Sequence, residues 1–338
     1  MAAVDLAELR RLAGGYRASQ AIYAMVALGV PDALAAGPAS GEQVAASVGA
    51  DPAAMSRLLR ALGDLGILSR DGDGRFRLTD ASTSLRSGDS DGLSAMILGW
   101  SALPVGYAAF GALHHAVRTG GNAFEHVYGQ RFHDYLDHDS DAAQAYEAAT
   151  ESTVTTFDEA IHAGGFGRFA TVVDVGGGQG TFLEALLRQY PSARGVLLEV
   201  PRVAADARDR LRGRPEGSRV DIVAGDMFAS IPHGGDAYVF LTVLRCFNDE
   251  ECRKILARLW ASMSDTSRLL ALEMVYPDDP LDGRPGLADL QAMVVYGGAD
   301  RTATEWQKLL VSAGFETPII TPVDESFSWV EAARANHG

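Results

Sequence analysis

Three patterns of apolar and polar positions follow one another along the 338-residue chain. In residues 1–37 apolar side chains recur at helical spacing, with Ile22, Met25, Val26 and Leu28 in one stripe, and the pattern breaks near Gly29-Val30-Pro31. Ser40-Gly41-Glu42-Gln43 has the form of a capping box that opens a short helix ending at Gly49. Asp51 then supplies an N-cap and Pro52 a first-turn proline for a second helix running to about Leu65. Ile67–Ser69 and Arg75–Leu78, joined through Asp71–Gly74, predict a hairpin. Helix, turn, helix and wing together predict a mainly helical, winged-helix-like domain over residues 1–90. Residues 91–165 carry no strand signal and predict helices with breaks near Pro104 and Gly120-Gly121. Their aromatic residues, Trp100, Tyr107, Phe110, Phe124, Tyr128, Phe132 and Tyr146, line either a core or a pocket. From Thr171 onward short β-branched runs alternate with helical ones. That is the βαβ pattern of a parallel, doubly wound sheet, so the fold class is α/β. Phe315–Thr321 and Ser326–Ala332 read as closing strands.

Chemistry concentrates where the first of these strands ends. Val172–Gly180 reads VVDVGGGQG, with four glycines within five positions before the helical run Thr181–Tyr190. A strand that turns through glycines into a helix brings backbone amides and a helix N-terminus up to a ligand where a Cβ would not fit. About 20 residues later the apolar run Gly195–Leu198 ends in Glu199, a carboxylate at the tip of the second strand, suited to ribose hydroxyls. The spacing does not match the dinucleotide pattern G-x-G-x-x-G, because Thr181 or Leu183 falls where its third glycine belongs. The form Asp174-x-Gly176-x-Gly178-x-Gly180 resembles instead the S-adenosylmethionine site of class I methyltransferases. That ligand carries an ammonium and a sulfonium but no phosphate, so Asp174 is tolerable beside it. Gly225-Asp226-Met227-Phe228 follows the next apolar run, where Asp226 can accept from an adenine amino group and Met227 or Phe228 can pack on the ring.

The further sequence of motifs resembles small-molecule O-methyltransferases of the caffeate and hydroxyindole type. It runs through Leu197–Pro201, Gly225–Phe228, Ile231-Pro232, Asp249–Cys252, Glu273, Gly297–Trp306 and Ala313–Phe315, and covers nearly the whole chain. The resemblance implies a Rossmann-like S-adenosylmethionine-binding domain over 166–338, a helical linker and substrate lid over 91–165, and a dimerisation domain over 1–90. It implies a homodimer acting on a small aromatic or polycyclic natural product, such as an antibiotic precursor, with O-methylation leading and N- or C-methylation open. The rival reading keeps the cofactor but uses its sulfonium electrostatically in a hydroxylase, decarboxylase or pericyclase.

Charge and cysteine content narrow the partners. The net charge is −15, and residues 1–90 hold nine Arg against ten Asp and Glu, so the winged helix lacks the basic face that DNA requires. Neither nucleic acid nor membrane is expected, since no run of about 18 apolar residues occurs. The amphipathic N-terminus does not read as a signal peptide. Cys246 and Cys252 lack the clustered His of a zinc site, so no metal is expected and the cytoplasm is the expected compartment.

One expected residue is missing. In the resembled family a Leu-His-Asp-Trp segment supplies a His that takes the acceptor's proton. Here the aligned stretch is Val243-Leu244-Arg245-Cys246-Phe247-Asn248-Asp249. Arginine stays protonated and cannot be a base. Glu273 and Asp300 stand where the family's two flanking acids do. Two readings of Arg245 are open: an ion pair set between those carboxylates, or a grip on an anionic group of the substrate. A substrate already anionic needs no base, and transfer then runs on proximity. Other candidate bases are His114, His115, His126 and His133, with His133 preferred because the resemblance places its helix beside the pocket.

Overall fold

The computed structural model describes residues 4–89, 92–101, 104–153, 157–278 and 286–335. The chain forms two compact units, Met1–Ala108 with His133–Thr155, and Ala109–Phe132 with Thr156–Gly338. The helical stretch 91–165 is thus shared between the units and is not a body of its own. The Trp100 side chain lies outside the described residues.

In the first unit, helices α1 (Leu6–Ala13), α2 (Tyr16–Ala27), α3 (Val30–Leu34), α4 (Gly41–Val48) and α5 (Pro52–Asp64) precede the hairpin β1 (Leu68–Arg70) and β2 (Phe76–Leu78). The capping box forms: Gln43 N–H donates to Ser40 Oγ at 3.3 Å and Ser40 N–H to Gln43 Oε1 at 2.8 Å. Ala54 N–H donates to Asp51 Oδ1 at 2.8 Å, with Pro52 in the first turn where its missing N–H costs nothing. The predicted stripe is realised as a core in which Met25, Val26 and Val30 meet Val44, Met55, Leu59, Leu62, Leu68 and Phe76. Helix α1 buries none of its residues, and Leu6, Leu9 and Leu12 stand exposed.

The second unit is built on an eight-stranded sheet. Its strands are β3 (Thr171–Val175), β4 (Arg194–Glu199), β5 (Val220–Ala224), β6 (Ala237–Leu241), β7 (Arg268–Tyr276), β8 (Arg301–Thr302), β9 (Ile319–Pro322) and β10 (Phe327–Ala332). The order is β5-β4-β3-β6-β7-β10-β9, with β8 beside the end of β7. Strands β5 through β7 are parallel, and β10 runs antiparallel to both β7 and β9. The central strands β3 and β6 are buried on both faces, β6 through the run Ala237–Leu241 and β3 through valines with the charged-type residue Asp174 among them. Strand β9 starts at Ile319, later than Phe315, because Pro318 has no N–H to give a ladder. Phe315 is buried instead.

Under the sheet, Phe166 and Phe182 cluster with Trp329, whose Nε1–H donates to Ala160 O at 2.7 Å. A single arginine closes the helix that follows the glycine turn, Thr181–Gln189. Arg219 donates from Nη2 to Leu187 O (2.9 Å) and from Nη1 to Tyr190 O, Pro191 O and Ala193 O (3.1–3.3 Å). Those carbonyls lie beyond the reach of intrahelical donors. Arg219→Ala is expected to cost about 1.5–3 kcal/mol, the worth of hydrogen bonds from a charged donor, read as a lowered urea midpoint.

Candidate functional site

The strand order reverses at β3, with β4 on one side and β6 on the other, and this opens a crevice at the carboxyl ends of the strands. Here the Gly176–Gly180 turn leaves β3. Gly176 has φ 74°, in the left-handed region. A Cβ on it would come within 3.0 Å of Val243 Cγ2 and 3.4 Å of Met227 Cε. The turn is therefore approached by the loop after β5 and the loop after β6 together. Gly180, also left-handed, stands at the head of helix Thr181–Gln189.

Glu199, at the tip of β4, ties itself to that turn. Gly178 N–H donates to Glu199 Oε1 at 3.0 Å, and Val200 N–H donates to Oε2 at 2.8 Å. After β5, Asp226 Oδ1 accepts from Phe228 N–H at 2.8 Å, which folds Asp226-Met227-Phe228 into a tight turn. Met227 lies toward Gly176, while the Phe228 ring meets Phe247 edge-on at 5.2 Å. Asp174 is fully buried at the end of β3, and neither of its carboxyl oxygens receives a hydrogen bond from the described residues. Burial, and then the charge of Glu199, hold its carboxyl well above the usual range. The structure thus brings Asp174, Gly176, Gly178, Gly180, Glu199, Asp226 and Met227 around one crevice.

The second cluster follows β6. Arg245 sits in the turn Leu244–Cys246 and is buried. Its Nε donates to Asp300 Oδ1 at 2.6 Å and its Nη2 to Asp300 Oδ2 at 2.8 Å, a two-pronged ion pair. Gly298 makes the pair possible: it lies against the Arg245 carbonyl and the Phe247 amide, where a Cβ would strike backbone. Asp300 is fixed in turn, its N–H donating to Asp289 Oδ1 at 3.0 Å. Asp289 N–H donates to the Tyr276 hydroxyl at 3.1 Å.

Arg245 does not stand hydrogen-bonded between two acids, as one reading of the sequence had it. Glu273 accepts from Leu244 N–H at 2.8 Å through Oε1, and its Oε2 is buried without a partner among the described residues. The Nε–Nη2 edge of the guanidinium is committed to Asp300. Burial pushes the Glu273 carboxyl up to about 8, against the opposing pull of Arg245. Cys246 and Cys252 are free, buried thiols pushed up to about 12 by burial, and so are not nucleophiles. His133 belongs to the first unit, where its ring meets Tyr146 edge-on at 6.4 Å. Among the described residues no group of three or more His, Cys, Asp or Glu is placed to hold a metal.

Sequence reasoning passes over Thr242. It has φ 56°, the only positive value on a non-glycine residue among those described. A β-branched residue resists this conformation. It is held by its N–H bond to Leu272 O (2.8 Å) and delivers Val243 and Leu244 to the two clusters. No sequence signal marks it. Asp289 and Tyr276 are equally unmarked, because their role depends on contacts made only in three dimensions.

Comparison with known proteins shows the family to which the chain belongs. The O-methyltransferase domain family matches residues 110–316, and the O-methyltransferase dimerisation domain matches residues 10–87. A 3-amino-4-hydroxybenzoate 4-O-methyltransferase from Streptomyces cremeus is 34% identical over 95% of this chain and 88% of its own. The structure of the mitomycin 7-O-methyltransferase MmcR superposes with a TM-score of 0.89 at 32% identity, covering 97% of each chain. NcsB1, an O-methyltransferase of neocarzinostatin biosynthesis solved with S-adenosylmethionine and 2-hydroxy-5-methyl naphthoic acid, gives a TM-score of 0.85 at 27% identity. That match covers 94% of this chain and 96% of NcsB1.

Two outcomes follow from the second cluster. Asp300→Ala strands a buried guanidinium and is expected to cost about 3–5 kcal/mol, measurable by chemical denaturation. Glu273 titrates near 4.5 when unfolded and about 8 when folded. Between those values the folded protein keeps a proton that the unfolded chain has lost. Its contribution is therefore full below about pH 4.5 and declines as pH rises toward 8. The stability of wild type relative to Glu273→Gln is expected to fall across that window, by at most about 1.4 kcal/mol per pH unit. A difference that stays flat would contradict this assignment.

Proposed function

The chain belongs to the O-methyltransferase family and is an S-adenosylmethionine-dependent methyltransferase, and we propose that its acceptor is the hydroxyl of a small, acidic aromatic natural product. The observation that carries the reading is the crevice at the reversal of strand order, where the glycine turn, Glu199 and Asp226-Met227 converge within a matched methyltransferase domain.

These residues fit the cofactor. Asp174 offers two buried acceptor oxygens beside the turn, suited to a cationic donor and hostile to phosphate. Glu199 stands where ribose hydroxyls would lie, Gly176, Gly178 and Gly180 keep the crevice open to a close backbone approach, and Asp226 with Met227 borders the place for the adenine. When bound, the cofactor supplies an electrophilic methyl group on a sulfonium.

No histidine base is present at the aligned position, and Arg245 can neither accept a proton nor turn away from Asp300. Arg245 is instead a positioning residue that ties the turn after β6 to the Gly297–Arg301 segment. Transfer then rests on alignment of an acceptor that ionises on its own near neutral pH. An acidic phenol, such as one conjugated to a carbonyl, meets that need.

The protein carries the family's dimerisation domain. We assign the exposed leucine face of α1 to the interface of a homodimer, which removes an apolar stripe from water. Its N-terminal domain, with nine Arg against ten Asp and Glu over residues 1–90, lacks a basic surplus and suits a scaffold better than a DNA-binding module. No helix among the described residues is long and apolar enough to cross a membrane. The two free buried thiols fit a reducing cytoplasm.

The test is a series of related phenols of graded acidity, incubated with purified protein and S-adenosylmethionine. Methylated product and S-adenosylhomocysteine are expected in equal amounts. The pH midpoint of kcat/KM should move with each acceptor's own ionisation. A midpoint that stays put across the series would reveal a base in the protein and overturn the proximity reading.

A further inference from the structure

The glycine turn after β3 rests on the helix that follows β4, Pro201–Leu211. Four of the five residues Gly176–Gly180 are glycines, and glycine loses more backbone freedom on ordering than any other residue. Such a turn keeps one shape only if contacts from outside impose it. Glu199 supplies one from the tip of β4, accepting from Gly178 N–H at 3.0 Å. Another comes from the far end of the helix. Arg210 donates from Nη1 to Gln179 O at 3.4 Å and from Nη2 to Glu184 Oε2 at 2.7 Å. The next residue, Leu211, is buried, and its Cδ1 lies 3.2 Å from the place of a Cβ on Gly180.

The two arms of Arg210 end on either side of Gly180. Gln179 precedes it in the turn, and Glu184 stands in the first turn of the helix Thr181–Gln189 that leaves it. Gly180 has φ 76°, so the joint between turn and helix is a left-handed glycine with no side chain to stiffen it. A guanidinium suits this place because its nitrogens lie in one rigid plane and can serve two acceptors at once. The buried Glu184 carboxylate is supplied by other arginines as well. Arg214 Nη1 donates to its Oε1 at 2.6 Å, and Arg188 Nη2 to the same oxygen at 3.4 Å. What sets Arg210 apart from those two is its second arm, to the Gln179 carbonyl.

We propose that Arg210 is a positioning residue for cofactor binding: by tying Gln179 to Glu184 across Gly180, it holds the glycine turn in the shape that the cofactor meets. The proposal rests on the cofactor assignment made above. A turn ordered before the ligand arrives costs less to immobilise on binding, so the tie is worth affinity. Arg210 acts through the turn and touches no ligand itself. The helix Pro201–Leu211 thereby links the two ends of one device. Glu199, just before its first turn, offers the ribose carboxylate, and Arg210, in its last turn, fixes the backbone that the same ligand lies against.

The test is calorimetric titration of S-adenosylhomocysteine into wild type, Arg210→Ala, Arg210→Lys and Arg214→Ala, with the urea midpoint of each protein measured alongside. Arg214→Ala removes an ion pair to the same carboxylate and a bond to the Arg210 carbonyl (2.9 Å), but takes nothing from Gln179. Arg210→Ala is expected to bind about five- to tenfold more weakly than wild type, the worth of one long hydrogen bond from a charged donor. Arg214→Ala is expected to lose at least as much stability, with affinity unchanged. Arg210→Lys keeps a charge for Glu184 and recovers the urea midpoint, but an ammonium has no rigid second arm, so its affinity stays with that of Arg210→Ala. Affinity that merely follows stability through the series, or binding as tight as wild type by either Arg210 variant, overturns the proposal and leaves the cofactor assignment standing. Where Arg210→Ala does not fold, the comparison of Arg210→Lys with Arg214→Ala decides. A wild-type protein that binds no S-adenosylhomocysteine removes both.

Discussion

The close approach of three loops to one glycine turn is the constraint on which this site depends. Parallel strands deliver their carboxyl ends to one edge of the sheet, and the order reverses at β3, so the loops after β4, β5 and β6 all face the turn after β3. That turn must pass within contact distance of Met227 and Val243 while adopting left-handed backbone at Gly176. Side chains in the turn would push those loops away. Glu199 then closes the arrangement by accepting the Gly178 amide, so the residue suited to a ribose also fixes the shape of the turn.

A second constraint acts 50 or more residues further along. Arg245 and Asp300 are separated by 55 positions and meet as a buried two-pronged pair. The pair neutralises its own charge and leaves Glu273 as a carboxyl whose Oε2 has no partner among the described residues. A histidine in place of Arg245 would have been a titratable group near neutral pH; an arginine locked to an aspartate is a fixed strut. The consequence is chemical. On the reading proposed above, proton removal passes from the protein to the acceptor's own acidity, and the enzyme's contribution is alignment.

Much of the fold is legible in the chain because its signals are local. The capping box at Ser40, the N-cap at Asp51, the wing turn at Asp71 and the two-sided burial of β3 and β6 follow from residues within a few positions of one another. The glycine turn and its acid at Glu199 are legible for the same reason, since spacing along two successive strands sets them side by side. The extent of the helical stretch 91–165 as a body is not legible. Apolar spacing says that a helix has a face to bury but not against which neighbour, and these helices divide between the two units.

The chain by itself determined the element order, the glycine turn, the loss of the histidine base and the acids aligned with it, because each is a matter of residue type at a given spacing. Only the tertiary structure decided how Arg245 divides its attention. Distance and burial gave its guanidinium to Asp300 and left Glu273 to the Leu244 amide. Only the fold could reveal Thr242 in left-handed backbone, since a threonine accepts that conformation only when surrounding contacts impose it. And only packing shows Asp174 buried with no hydrogen-bond donor to its carboxyl among the described residues, for a carboxyl's surroundings are set in space rather than by its neighbours in sequence.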